Sequence, residues 1–215
     1  MPLHQITPTE GGFTVGLWQI SEDPATLLAM AHLSEEERLY LVQIKNTIRQ
    51  LHWLAWRALL RQMLGSPHTK ILYDEKGRPF LQNQPFQISV SHAGPWAACQ
   101  IHPNQPAGVD VESIRPRIAK VKERFLSKKE LQKHASFLSN LRHLTILWCI
   151  KEAVFKWADM PGLDFRNQIH ILPFLSQPQG LASCLLKSSD NVETQIELHY
   201  ENIDAEHIIA YVTHA

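Results

Sequence analysis

Two short runs of this sequence place acidic and basic side chains at spacings that suit metal-assisted phosphoryl chemistry. In the first run, Gly108–Glu112, valines alternate with acids, so a strand would present Asp110 and Glu112 on one face. Carboxylates this close together repel each other. A hard divalent cation such as Mg²⁺ prefers oxygen ligands and would relieve that repulsion, and Mn²⁺ is the alternative at an all-oxygen site.

The second run, Trp148–Lys156, has the apolar spacing of a helix that places Glu152 and Lys156 on one face. Together the two runs predict three carboxylates, one metal ion and a neighbouring cation, which suits phosphoryl transfer. Each run also has a simpler interpretation: a solvated edge strand, or a surface ion pair contributing about 0.2–0.5 kcal/mol. Spacing alone favours the simpler interpretation of each.

Composition indicates a globular protein without a broad nucleic-acid surface. The 215 residues suit one large domain or two small ones, and a formal net charge of zero argues against a nucleic-acid partner. We see no signal peptide and no apolar run of about 18 residues, so we expect a cytoplasmic protein without membrane contact. The three widely spaced cysteines predict reduced thiols in the core; they are Cys99, Cys149 and Cys184.

Helices followed by strands are predicted in each of two halves, residues 1–105 and 106–215. In the first half, Ser34 and Glu37 form a capping box that begins a long helical stretch, in which a break is allowed, and Gly65 ends it. This stretch carries a series of basic residues. Neighbours four apart, Lys45 and Arg49, are the best pair for one ligand, and Arg57 is a further candidate.

An alternating hairpin follows, and its first strand ends at Ser91 and His92. We expect the strand Gly108–Glu112 to be the third strand of that meander, which would bring Ser91 and His92 near the two carboxylates. A hydroxyl and an imidazole at a strand end can bind phosphate oxygens. In the second half, Ser127 and Glu130 form another capping box, a helix covers 141–157, and residues 169–212 alternate as antiparallel strands.

These motifs resemble, in their order and spacing, those of the 4′-phosphopantetheinyl transferases, and in particular the long type that activates peptide and polyketide synthetases. The resemblance spans roughly residues 34–165. The matching runs are Gly77-Arg78-Pro79, Ile88-Ser89-Val90-Ser91-His92-Ala93-Gly94, Gly108-Val109-Asp110-Val111-Glu112, Glu123-Arg124-Phe125-Leu126-Ser127 and Trp148-Cys149-Ile150-Lys151-Glu152-Ala153 continuing to Lys156.

The resemblance implies transfer of the phosphopantetheine arm of coenzyme A to a serine of an apo acyl or peptidyl carrier protein, with release of 3′,5′-ADP. Asp110, Glu112 and Glu152 would hold Mg²⁺. Glu152 or Glu112 would accept the proton of the serine, and Lys156 would stabilise charge on the pyrophosphate.

The resemblance also implies where coenzyme A binds. Ser91 and His92 would hold its 3′-phosphate, Arg78 would approach the nucleotide phosphates, and Lys151 is a second nearby cation. Some relatives carry lysines where this chain has Glu37 and Tyr40. We therefore expect Lys45 and Arg49 to replace those contacts.

The family fold is α+β, with two similar halves related by a pseudo-twofold axis and the site between them, each half a small antiparallel sheet packed against a long helix. Because both halves lie in one chain, we expect a monomer. Two alternatives remain open: a non-catalytic module that binds coenzyme A or a carrier protein, and a metal-dependent phosphodiesterase that cleaves coenzyme A with water. Fatty-acid, polyketide and nonribosomal peptide synthesis are the pathways that such an enzyme would serve.

Overall fold

Each half of the chain folds an antiparallel sheet against one long helix, which makes this a mixed α+β protein. The computed structural model describes residues 3–9, 11–188 and 190–215. It forms two units, Met1–Ala107 and Gly108–Ala215, whereas the sequence placed the division after residue 105. None of the described helices is both long enough and apolar enough to cross a bilayer.

Within its described residues, the first unit contains a four-stranded sheet, a separate two-stranded hairpin and three helices. Its elements in chain order are β1 (Leu3–Pro8), β2 (Thr14–Gln19), α1 (Pro24–Met30), α2 (Glu35–Gln43), α3 (Thr47–Leu64), β3 (Ile71–Tyr73), β4 (Pro79–Leu81), β5 (Gln87–Ala93) and β6 (Trp96–His102). The large sheet has the antiparallel order β1-β2-β6-β5, and β3 pairs with β4. One side of α3 buries Leu59 and Ala55 in the same core as Trp18 of β2 and Cys99 of β6.

The predicted helix ends are confirmed at both ends of the basic stretch. Ser34 Oγ accepts a hydrogen bond from the Glu37 backbone N–H, and the Glu37 side chain accepts one from the Ser34 N–H. Gly65 ends α3 in the left-handed conformation, at φ 59°. The break between α2 and α3 contains Lys45, so the helical four-residue spacing that was predicted to pair Lys45 with Arg49 is wrong.

In the part of the second unit that the structure describes, there are a five-stranded sheet and three α-helices. Its elements in chain order are β7 (Val109–Ser113), α4 (Arg117–Phe125), α5 (Lys128–Lys133), a short 3₁₀ turn (Ala135–Phe137), α6 (Leu141–Ala158), β8 (Ile169–Ile171), β9 (Gln179–Lys187), β10 (Glu193–Asn202) and β11 (His207–His214). The sheet order is β7-β11-β10-β9-β8, antiparallel throughout. The antiparallel strands predicted for residues 169–212 and the Ser127–Glu130 capping box are therefore confirmed.

The predicted meander is wrong. The strand that carries Asp110 pairs with the last strand of the chain, where Asp110 lies opposite Ala210, and it does not extend the β5–β6 hairpin. The physical reason is the buried side of β7: Val109 and Val111 are fully covered, and α6 packs on this strand. In the sequence, a strand that buries valines against a later helix has the same alternating pattern as a strand that continues a local hairpin.

Candidate active site

The carboxylate strand β7 meets helix α6 at a glycine. A Cβ atom on Gly108 would collide with the carbonyl oxygen of Ala153 and lie 2.7 Å from Trp157 Cβ. Because this position has no side chain, the strand packs directly on the helix. The close approach lets Lys156 Nζ donate hydrogen bonds to Asp110 Oδ1 at 2.7 Å and to the Val109 carbonyl oxygen at 3.0 Å.

Glu112 is held from the same helix by a tryptophan. The indole Nε1 of Trp148 donates a hydrogen bond to Glu112 Oε1 at 2.8 Å. Trp148 lies two turns before Lys156 on α6, so the two side chains engage successive acids of β7. No role of Trp148 was predicted from the sequence, where its place within the helical run was the available signal.

Electrostatics shows that Glu152 belongs to the same cluster. The pKa of Glu152 is raised to about 7, mainly by burial and then by the charge of Asp110; Lys156 opposes the rise, and Glu112 adds a smaller increase. Burial is also the main cause that raises the pKa of Glu112, followed by the charge of Asp110. The structure thus brings together Asp110, Glu112, Glu152 and Lys156, the four residues on which the predicted chemistry depends.

The donor set fits a hard cation in type and charge. Within residues 3–9, 11–188 and 190–215, no three His, Cys, Asp or Glu side chains are arranged at metal-binding geometry. The three carboxylates nevertheless supply only oxygen donors. After burial, the charge of neighbouring carboxylates is a further cause of the raised pKa values of Glu112 and Glu152, and a divalent cation relieves repulsion of this kind. Asp110, Glu112 and Glu152 are the residues that would hold Mg²⁺.

A cleft of about 550 Å³ opens beside two of these acids. Glu112 and Glu152 line it together with the rings of Phe125, Trp148 and Phe165. Phe125 meets Trp148 edge-on, with ring centroids 5.2 Å apart. Three exposed guanidinium groups also line this cleft; they belong to Arg115, Arg117 and Arg124. The cleft therefore combines an apolar wall, two carboxylates and a basic surround.

Lys151 does not extend the site, contrary to its predicted role as a cation near coenzyme A. Its side chain is fully buried and forms an ion pair with Glu130 at 3.0 Å. The reason is helical geometry, because Lys151 lies about 140° around α6 from Lys156 and one turn after the buried Leu147. That one-turn spacing from Leu147 is a sequence signal that would have predicted the burial.

Arg57 is likewise an interior residue, and its predicted contact with coenzyme A is not supported by its position. It is 1% exposed, its Nε donates to Glu37 Oε1 at 3.0 Å, and its guanidinium lies 3.3 Å from the Trp53 ring centroid. Glu37 Oε2 accepts from Arg61 Nη2 at 2.7 Å as well. One carboxylate thus joins two buried arginines and caps α2, and only the capping role was predictable from the sequence.

The other predicted contacts with coenzyme A lie at the surface of the first unit or near it. His92 is exposed, and its ring stacks on His52 with centroids 4.4 Å apart. Ser91 is 8% exposed on the same strand. Arg78 is partly exposed beside β4, where its backbone N–H donates to Asp74 Oδ1 at 2.8 Å.

The two remaining basic residues of the series, Lys45 and Arg49, are both exposed. Lys45 lies between α2 and α3, and Arg49 lies in the first turn of α3, where its backbone N–H donates to the N-cap residue Asn46. Both are therefore accessible to an anionic ligand.

Comparison with known proteins gives the class of this chain. The family model described as the 4′-phosphopantetheinyl transferase superfamily matches residues 106–212, which include the whole cluster described above. This segment of the chain belongs to that superfamily. Several individual proteins that are similar to this chain are named 4′-phosphopantetheinyl transferases.

Three relatives illustrate the similarity. The 4′-phosphopantetheinyl transferase gsp of Aneurinibacillus migulanus is 34% identical over 121 residues, covering 54% of this chain and 50% of the relative. The transferase psf-1 of Bacillus pumilus is 28% identical over 122 residues, covering 54% and 51%. AcpT of Escherichia coli K12 is 41% identical over 70 residues, covering 32% and 35%. The chain thus matches about half the length of the first two.

Proposed function

We propose that this protein transfers the 4′-phosphopantetheine arm of coenzyme A to a serine of an apo acyl or peptidyl carrier protein and releases 3′,5′-ADP. The observation that carries the proposal is the cluster of Asp110, Glu112, Glu152 and Lys156 inside the segment that matches the family model. The names of the relatives support the same reaction class. In the holo-acyl-carrier-protein synthase type of reaction proposed here, the phosphorus–oxygen bond to the ADP moiety breaks as the serine oxygen attacks.

Each member of the cluster has a part in this proposal. Glu152, whose pKa lies near neutrality, or Glu112 accepts the proton of the serine hydroxyl, directly or through water. Lys156 Nζ stabilises the charge that develops as the pyrophosphate breaks. A divalent cation held by the three carboxylates, Mg²⁺ or alternatively Mn²⁺, would neutralise the pyrophosphate oxygens.

Coenzyme A binding is assigned to residues of the first unit. We infer contacts to its phosphates from Arg78, Ser91 and His92, with Lys45 and Arg49 as exposed cations that add to them. The variant Arg49→Ala should raise the dissociation constant for coenzyme A with little change in turnover at saturation. Arg38→Ala, another exposed arginine of this unit, is the matched control, and an unchanged affinity for Arg49→Ala would remove Arg49 from the site.

We further propose that the protein acts as a cytoplasmic monomer in fatty-acid, polyketide or nonribosomal peptide synthesis, and that its halves are related by a pseudo-twofold axis. The last point is supported by the 18-residue helix and the larger antiparallel sheet of each unit, four-stranded in the first and five-stranded in the second. The functional labels of the halves, coenzyme A binding for the first and metal binding with catalysis for the second, belong to the same proposal.

Mass spectrometry of carrier proteins tests the activity. The purified protein is incubated with coenzyme A, Mg²⁺ and a panel of apo carriers, and each carrier is weighed. A gain of one phosphopantetheine, abolished by EDTA and by Asp110→Ala, would support the proposal, with the exposed Asp190→Ala as the matched control. No gain on any carrier while coenzyme A still binds would favour the binding module.

The variant Glu152→Gln distinguishes an enzyme from a non-catalytic binding module. An enzyme should lose transfer by a factor of about 10² or more, because one proton acceptor is removed, while coenzyme A binding persists. A phosphodiesterase is distinguished by release of 3′,5′-ADP without any carrier. The exposed Glu193→Gln should behave like the wild type.

A further inference from the structure

The ammonium group of the buried Lys151 is surrounded by backbone carbonyls of one segment. Nζ lies 2.6 Å from the carbonyl oxygen of Ile169, 3.3 Å from that of Phe165 and 3.4 Å from that of Arg166. Its fourth partner is Glu130 Oε2 at 3.0 Å. One side chain of α6 therefore binds the segment that leads from the end of this helix to β8.

Glu130 extends these contacts to two further elements. Its Oε1 accepts a hydrogen bond from the Ile171 backbone N–H of β8 at 3.0 Å, and its Oε2 accepts from the Ser127 N–H and hydroxyl at the start of α5. Both members of the pair are at most 2% exposed. A buried pair with this many partners fixes α5, α6 and β8 relative to one another.

The bound segment supplies an aromatic wall of the cleft beside Glu152. The ring of Phe165, partly exposed, packs against Trp148 at a centroid distance of 5.3 Å and against Phe155 at 5.7 Å. It lines the same cleft as Glu112 and Glu152. Lys151 holds the carbonyl oxygen of Phe165 itself, so the path from the ammonium group to the cleft wall is a single residue long.

We propose that Lys151 is a positioning residue that fixes Phe165 as the cleft wall beside Glu152, and that Phe165 is a determinant of carrier-protein recognition. The proposal rests on the transferase function proposed above. The occupant is taken to be the carrier because the cleft joins an apolar wall and three arginines to the carboxylate that accepts the serine proton, which suits an acidic protein surface presenting that serine. Lys151 acts through the backbone of the segment and touches neither substrate.

A charge-balanced variant tests the positioning role without leaving a buried carboxylate unpaired. In Lys151→Met with Glu130→Gln, the ion pair becomes neutral at similar volume, which the fold should tolerate, while the donors to the three carbonyls are lost. Hydrogen exchange of the amides at 160–168 should become at least about 10-fold faster than in the wild type. The exposed Lys129→Met is the matched control. Unchanged exchange in a folded neutral variant would overturn the positioning role.

Steady-state kinetics tests the link to recognition. Phe165→Ala should raise KM for the carrier about 10-fold, with kcat and KM for coenzyme A within about twofold of the wild type. The double variant Lys151→Met with Glu130→Gln should likewise raise KM for the carrier while kcat and KM for coenzyme A stay near the wild-type values. Because both variants act on one wall, combining them should raise KM no further than either alone. The exposed Leu175→Ala should leave both constants unchanged.

The outcomes separate this inference from the proposed function. Two results would overturn the coupling between Lys151 and Phe165. One is a combined variant whose increase in carrier KM equals the product of the two separate increases; the other is a loss of kcat with carrier KM unchanged. If the wild-type protein modifies no carrier, the proposed function fails, and the exchange rates still decide whether Lys151 positions the segment. If the Lys151→Met, Glu130→Gln variant does not fold, Phe165→Ala still provides a test. An unchanged KM for the carrier in Phe165→Ala would by itself overturn the recognition role of Phe165.

Discussion

Asp110 and Lys156 form a short ion pair within the carboxylate cluster. The Asp110 side chain is 5% exposed and its ion pair with Lys156 is 2.7 Å long, so the ammonium group offsets part of the cost of burying a carboxylate among two others. Lys156 also opposes the rise in the pKa of Glu152. The same cation therefore serves the ground state of the cluster and, in the proposed reaction, the developing charge.

Lys156→Met should lower kcat for transfer by a factor of about 10²–10³, which is typical of losing one group that stabilises transition-state charge. The measurement is the initial rate at saturating coenzyme A and carrier. Lys129→Met removes an exposed lysine from α5 and should keep the wild-type rate. A Lys156→Met protein with full kcat would exclude this lysine from the chemistry.

Sequence reasoning was sound where a residue's role depends on its nearest neighbours along the chain. Helical spacing predicted Glu152 and Lys156 on one face of α6, and strand alternation predicted Asp110 and Glu112 on one face of β7; the contacts described above bring these residues together. The predicted contacts with coenzyme A failed for Lys151 and Arg57, because the sequence around a cation does not show whether its partner is a ligand or a buried glutamate. The partners, Glu130 and Glu37, lie 21 and 20 residues away.

At the scale of elements, Glu37 connects α2 to α3 through two buried arginines. The neighbouring Glu36 offers a direct comparison, since its side chain is 77% exposed and lies 3.7 Å from Lys70. Glu37→Gln should lower the free energy of unfolding by about 3–5 kcal/mol, because two buried guanidinium groups lose their counter-ion. Glu36→Gln should change it by at most about 0.5 kcal/mol.

Urea unfolding at pH 7 followed by circular dichroism measures both changes. Equal effects of Glu36→Gln and Glu37→Gln would show that the arginine pair needs no counter-ion. The capping box was predictable from four residues of sequence, whereas the second use of the same carboxylate required the fold to bring α3 beside α2.

A pair of buried histidines joins α5 to α6. His134 Nδ1 and His143 Nε2 lie 3.0 Å apart, so one ring donates an N–H hydrogen bond to the other, and both side chains are at most 1% exposed. Burial lowers the pKa of His143 to about 4, with a further contribution from His134, and burial also lowers the pKa of His134. Both rings are therefore neutral in the folded protein at pH 7.

Stability should fall as the pH is lowered from 6.5 towards 4. The unfolded chain binds a proton at His143 near pH 6.5, whereas the folded chain resists it until about pH 4, so protons favour unfolding in that window. The loss from His143 alone is on the order of 3 kcal/mol. Urea titrations at pH 7 and pH 4.5 measure it, and His143→Phe should flatten the difference. An undiminished pH dependence in that variant would assign the effect to other groups.

At the scale of the whole molecule, the sequence predicted a mixed α+β protein with antiparallel sheets, and this class is confirmed. It could not predict which strands pair across long separations, because β7 and β11 are joined only after about 100 residues of intervening chain. Their pairing depends on α6 covering both strands. The alternation of apolar and polar residues within a strand does not indicate which helix will cover it.

We expect the protein to sediment as a single species of 24.6 kDa, because each half already contains its own sheet and helix within one chain. Sedimentation velocity over a range of concentrations measures this. A dimer that persists on dilution would contradict the monomer proposal.

The contact at Gly108 has a consequence for how mutations in this protein would be interpreted. An alanine there, one methyl group larger, would separate β7 from α6 and so lengthen the distance between Asp110 and Lys156 without replacing any charged group. In a mutational survey scored by activity, this position would rank beside the carboxylates, although it has no side chain to take part in chemistry. Intolerance to substitution at Gly108 would therefore report the spacing between a strand and a helix.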